Sequence, residues 1–126
     1  MTKYRFSITI PANIAAPVNV AAAAIATGAV LPGSLASGWN SSYLPACKLS
    51  FQMGIGSTGT GYYGDSNLLY TGANADDQIF PPQTAGQPGG SAEIDSFQDY
   101  NALNLAQYNL HGANPGDTIL VSYQQA

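Results

Sequence analysis

Residues 3–10, KYRFSITI, decide the fold class, because apolar and polar side chains alternate along them without a break. Tyr4, Phe6, Ile8 and Ile10 fall on one side of an extended chain, and Arg5, Ser7 and Thr9 on the other. A period of two sets one face on a core and the other in water, so the segment predicts a half-buried strand, stopped by Pro11. The pattern returns twice. Cys47, Leu49, Phe51 and Met53 alternate with Lys48, Ser50 and Gln52, and near the end Ile119, Val121 and Tyr123 alternate with Thr118, Leu120 and Ser122. Asn114-Pro115-Gly116-Asp117 is a strong turn signal before the last of these, and NLAQYNLHG, holding Leu105, Tyr108 and Leu110, reads as the strand that leads into it. About six to eight short strands punctuated by turns predict an all-β fold, an antiparallel β-sandwich or jelly roll. Nothing divides residues 1–126 into two domains.

Away from these segments the grammar is looser. The run VNVAAAAIATGAVLPG, residues 18–33, has alanines that favour helix. Pro17, Gly28 and Pro32-Gly33 bound pieces of strand length and no helical cap stands out, so a strand or two is expected there. Lys3 and Arg5 ahead of the apolar stretch from Ile14 to Leu31 imitate an export leader. Pro11, Asn13, Pro17 and Asn19 interrupt it, so it is expected to be folded structure, with no export signal and no membrane span. The glycine-dense GIGSTGTGYYGD, residues 54–65, reads as a loop or bulged connection. Residues 83–100, QTAGQPGGSAEIDSFQDY, read as an extended surface loop.

Charge narrows the function. Only 8% of the residues are charged, against about 25% in an ordinary domain, and the net charge is -4. Lys3, Arg5 and Lys48 are the whole basic complement, too few for a phosphate track on nucleic acid or a polybasic membrane face. Charge-driven disorder is excluded as well, since 45% of the residues are apolar. The surface has to be built from Gly, Ser, Thr, Asn and Gln.

The candidate chemical sites each have a plainer reading. Gly54-Ile55-Gly56-Ser57-Thr58-Gly59 spells a dinucleotide fingerprint, but the continuation TGYYGD cannot open the helix that would face a pyrophosphate. Cys47 is expected to be a small buried residue in a strand, and His111 a satisfied structural residue at a strand end. The seven acids, Asp65, Asp76, Asp77, Glu93, Asp95, Asp99 and Asp117, show no spacing that singles out a catalytic pair, and most are expected to cap turns. Asn74-Ala75-Asp76-Asp77 offers oxygen ligands without the loop grammar of a calcium site. No catalytic residue, cofactor or metal is therefore expected. Trp39 and the tyrosines could form a platform for sugar rings, which makes a carbohydrate- or receptor-binding module the competing class.

The second half carries a resemblance. YYGDSNLLYTGANADDQIFPP and then NALNLAQYNLHGANPGDTILVSY are similar to small β-sandwich virion proteins of tailed bacteriophages and related viruses. The matching positions are Gly64, Asp65, Ser66, Gly72, Ile79 and Pro81, then Leu105, Gly112, Gly116, Asp117, Ile119, Val121 and Tyr123. The sequence departs from that pattern in residues 83–100 and in its alanine-rich first half. The resemblance implies a non-enzymatic virion protein, a capsid decoration or minor capsid protein assembled in the host cytoplasm. It would bind the major capsid protein or another virion protein, and its own copies as a homo-oligomer, a trimer being favoured. Residues 83–100 and the glycine loop before Gly64 would make the contacts, with Tyr62, Tyr63, Gln87, Phe97 and Tyr100 as the interface candidates.

Overall fold

The computed structural model describes residues 3–30, 38–95 and 103–124. The described strands are β1 (Lys3–Thr9), β2 (Val18–Asn19), β3 (Pro45–Ala46), β4 (Lys48–Met53), β5 (Gly61–Gly64), β6 (Ala75–Ile79), β7 (Ser91–Asp95), β8 (Leu103–Asn104), β9 (Asn109–Gly112) and β10 (Thr118–Gln124). All pairings are antiparallel. One four-stranded sheet has the order β1-β10-β4-β7, a second has β2-β9-β5-β6, and β3 pairs with β8. The all-β antiparallel expectation holds, and the three strands with the cleanest alternation, β1, β4 and β10, lie side by side in the first sheet.

The register shows why alternation was readable there. Tyr4, Tyr123, Leu49 and Ile94 stand in one cross-strand row, and Phe6, Val121, Phe51 and Ala92 in another. These rows face inward; Phe51, Leu49, Val121 and Tyr123 are buried. Burying such side chains is worth roughly 1.5–3 kcal/mol each, the main return on ordering the strands. Tyr123 lies on Tyr4 with ring centroids 5.4 Å apart, and its hydroxyl donates to the Ala29 carbonyl. Burial, then the neighbouring Tyr4, raises the Tyr123 phenol above its ordinary value.

Across the core, Phe51 meets Tyr63 of the second sheet at 5.2 Å between ring centroids. Close approach of the sheets depends on Gly61 and Gly112, which are cross-strand partners. A Cβ at Gly61 would stand 2.6 Å from the Met53 sulfur, and one at Gly112 would overlap the Ile10 side chain.

Four expectations are corrected. Of the strand or two expected over residues 18–33, the described residues 18–30 supply one, the two-residue β2, after which Val20–Ala26 is a helix, α1. The alanine propensity prevailed because Asn19 is a cap, its Oδ1 accepting from the Ala22 N–H at 3.1 Å. The glycine-dense stretch 54–65 is not a connection throughout, since Gly61–Gly64 is β5, interior to the second sheet, although its register with β6 shifts between Tyr63 and Gly64. Residues 83–100 are not loop throughout, because Ser91–Asp95 pairs with β4 as β7. The expected strand over NLAQYNLHG is interrupted by a 3-10 turn, Leu105–Gln107, where the Asn104 side chain accepts from the Ala106 N–H.

Candidate functional site

The residues that alternation sent outward from the first sheet form its most developed surface. Arg5, Ser122, Ser50 and Glu93 stand in one row across the four strands, and Ser7, Leu120, Gln52 and Ser91 in the next. Together with Lys3 they line a depression of about 600 Å³. Serines keep its floor low between longer side chains, with Lys3 and Arg5 at the β1 margin and Glu93 at the β7 margin. Lys48, one row on, approaches Asp95 at 3.9 Å, an exposed pair worth at most about 1 kcal/mol. All three cations of the chain therefore lie on this one face. Its hydroxyl, amide and charged groups can hydrogen-bond a polar partner. The one aromatic at its border, Phe6, occupies an inward-facing position.

The expected interface residues are scattered. Tyr62 is on the outward face of the second sheet, half-buried against Gly72, where a Cβ would stand 2.6 Å from the tyrosine ring. Tyr63 points the other way, into the aromatic cluster, with Phe51 at 5.2 Å and Tyr108 at 6.5 Å. Burial, followed by the Asp77 and Asp76 carboxylates and then Tyr108, raises the Tyr63 phenol; burial and then Asp76 raise that of Tyr108. Gln87 is exposed in the β6–β7 connection, on a shallow depression of about 370 Å³ shared with Phe80, Pro81 and Pro88. That connection is tied to β4 at its base, where the Gly89 N–H donates to the Met53 carbonyl at 3.1 Å. Phe97 and Tyr100 lie outside the described residues.

The remaining candidates resolve into structure. His111 is buried within β9; its Nδ1 accepts from the Gly112 N–H at 2.9 Å and its Nε2 lies 3.1 Å from the Ala15 carbonyl. Acceptance at Nδ1 leaves Nε2 as the protonated nitrogen and donor. Cys47 is buried, but just ahead of β4 instead of within it. Asp65 caps a local turn through the Asn67 N–H at 2.8 Å. Asp117 reaches another loop, where its Oδ2 accepts from Thr58 and Gly59 at 3.1 and 2.8 Å. Those two bonds hold the false dinucleotide fingerprint as a turn, with no helix behind it. Asp76, Asp77, Glu93 and Asp95 do not cap turns as expected, because they sit in β6 and β7. Trp39 is half-buried against the core. Among the described residues, no group of three or more His, Cys, Asp or Glu could hold a metal ion.

No protein-family model matches the chain, and no curated protein is significantly similar to it in sequence. The outward rows were missed by sequence reasoning, which used their polar positions only to define a strand face. The signal was present: Lys3, Arg5 and Lys48 all occupy polar positions of alternating strands.

Proposed function

We propose that this chain is a non-enzymatic structural protein of a virus particle, a jelly-roll capsid decoration or minor capsid protein that binds the shell and its own copies. The observation that carries the reading is the nesting of the strands. β1 pairs with β10, β2 with β9, β3 with β8, β4 with β7 and β5 with β6, so the chain is one long hairpin with its tip at residues 65–74. Rolling that hairpin brings β10 beside β4 and β9 beside β5. Both features support a jelly-roll reading, an architecture recurrent in viral capsid and lectin domains. A fold alone does not assign function, so the resemblance of residues 63–123 to phage virion proteins supplies the choice between those classes. An uncharged polar surface supports it too, since contacts with the shell then depend little on salt. A trimer is the favoured closed form, and the β6–β7 connection, with the exposed Gln87, is the favoured shell contact.

The test is antibody labelling of particles purified from the source culture, using the intact chain as antigen. Label on intact shells is expected. Recovery of the chain only in the particle-free fraction overturns the proposal.

The second reading, a carbohydrate- or receptor-binding module, is favoured by the 600 Å³ depression on the first sheet. It would act through hydroxyl, amide and charged groups instead of stacked rings. Retention on a glycan array, lost in Arg5→Ala, would move the assignment to that class.

A further inference from the structure

We infer that copies of this chain associate head to tail, the basic β1 edge of one molecule lying against the acidic β6–β7 edge of the next. The inference rests on the self-association in the reading above and specifies which surfaces meet. The chain has few charges, and those on the outermost strands are segregated. Lys3 and Arg5 are exposed on β1, an edge strand, and among the described residues neither makes an ion pair. At the far edge of the same sheet, β7 exposes Glu93 and also Asp95, which Lys48 already approaches at 3.9 Å. Beside it runs β6, the edge of the second sheet, exposing Asp76 and Asp77; the Gly90 N–H donates to the Phe80 carbonyl at 2.8 Å where the two edges meet. Three strand spacings, roughly 14 Å, separate β1 from β7. Opposite charges thus mark opposite sides of the molecule.

This pattern selects the symmetry of the contact. A two-fold pairing of β1 edges would set Lys3 and Arg5 against their own copies, and a two-fold pairing of the other side would oppose rows of carboxylates. Like charges placed opposite one another across strands are destabilising. Basic edge against acidic edge is the arrangement without that penalty, and it is heterologous, closing into a ring or extending as a filament according to the rotation between copies.

Apolar groups are placed to match. Phe80 is 59% exposed and follows Asp77 by three residues. On the other side, Ile8 follows Arg5 by three residues and borders a depression of about 410 Å³ walled by Val18, Ala22, Ala23 and Ala26. Both spacings are roughly 10 Å of extended chain, so an ion pair at Arg5 and Asp77 would bring Phe80 over the alanine-lined hollow.

The experiment is native mass measurement of the intact chain at about 100 µM, in about 0.02 M and about 1 M salt, conditions that lengthen and shorten electrostatic reach. Wild type is expected to be oligomeric at low salt. Lys3→Glu/Arg5→Glu and Asp76→Lys/Asp77→Lys are each expected to weaken association at least about tenfold, and the chain carrying all four changes to recover it. Phe80→Ser tests the same contact without altering charge, and is expected to weaken association with an unchanged circular dichroism spectrum. Oligomers that persist in both charge-reversed chains and in Phe80→Ser overturn this contact while leaving self-association standing. A wild-type monomer at low salt overturns the inference outright, whereas the virion assignment is decided separately by particle labelling.

Discussion

The two sheets are built from different kinds of sequence. The β1-β10-β4-β7 sheet has strands of five to seven residues with one face on the core and one in water, so outward polar residues alternate with inward apolar ones, Leu120 being an apolar exception on the wet face. The β2-β9-β5-β6 sheet has strands of two to five residues, and all four residues of β9 are buried. Over β9 and β5 its outer face is covered: Ala15 reaches the His111 ring, Tyr70 lies 6.3 Å from that ring between centroids, and Gly72 packs on Tyr62. Where both faces are dry, as along β9, a period of two has nothing to report. Polar groups in this sheet are held by specific partners. Asn19 Nδ2 donates to the Ala106 carbonyl at 2.9 Å, and the buried Asn109 lies 3.4 Å from the same nitrogen through its Oδ1.

If this contrast is right, substitutions should divide by sheet and by face. Phe51→Ala removes the ring that joins both sheets and should cost about 3–5 kcal/mol in urea unfolding, with both sheets lost in one transition. Two separate transitions would break the picture of a shared core. The next effect is on pH dependence and is carried by three side chains at once. Tyr123, Tyr63 and Tyr108 are all raised in the folded state, Tyr123 most. Their contribution is intact below the unfolded tyrosine value of about 10 and is lost as pH rises from there towards the folded values. Unfolding followed from pH 8 to 12 should therefore show stability falling above about pH 10, with a shallower fall in Tyr123→Phe.

His111→Ala should cost about 1–3 kcal/mol, because the Gly112 N–H and the Ala15 carbonyl lose their partner in a covered face. Asn19→Ala removes the α1 cap and the bond to Ala106, and a loss of about 1–2 kcal/mol in the same measurement is expected. Ser122→Ala, on the wet face of the first sheet, should stay within about 0.5 kcal/mol. A cost at Ser122 as large as that at His111 would erase the distinction between the sheets.

The same distinction explains what could be read beforehand. β1, β4 and β10 were legible because water on one face imposes alternation. β5 was not, since Gly61 and Gly64 were selected for close approach and carry no side chain to alternate. β7 was hidden by the Gly, Pro and Ser that precede it, although Ala92 and Ile94 keep the period. α1 was misjudged because Asn19 was read as an interruption when it is the cap. Of the candidate site, the charged residues were visible but their gathering was not: Lys3 and Lys48 are far apart in sequence, and only the β1-β10-β4 register puts them in one row.

The nesting of the strands also sets the order in which the chain can be completed. The β5–β6 pair closes over a short tip, whereas Lys3 of β1 pairs with Gln124 at the other end of the described chain. Contacts between such distant residues require the intervening chain to be ordered first, which places folding of this topology in the slow, millisecond-to-second range. During synthesis, β1 has no mate until β10 has left the ribosome. Its inward side chains, Tyr4, Phe6 and Ile8, are meanwhile a sticky extended segment. Lys3 and Arg5, interleaved with them, act as gatekeepers against aggregation in that interval.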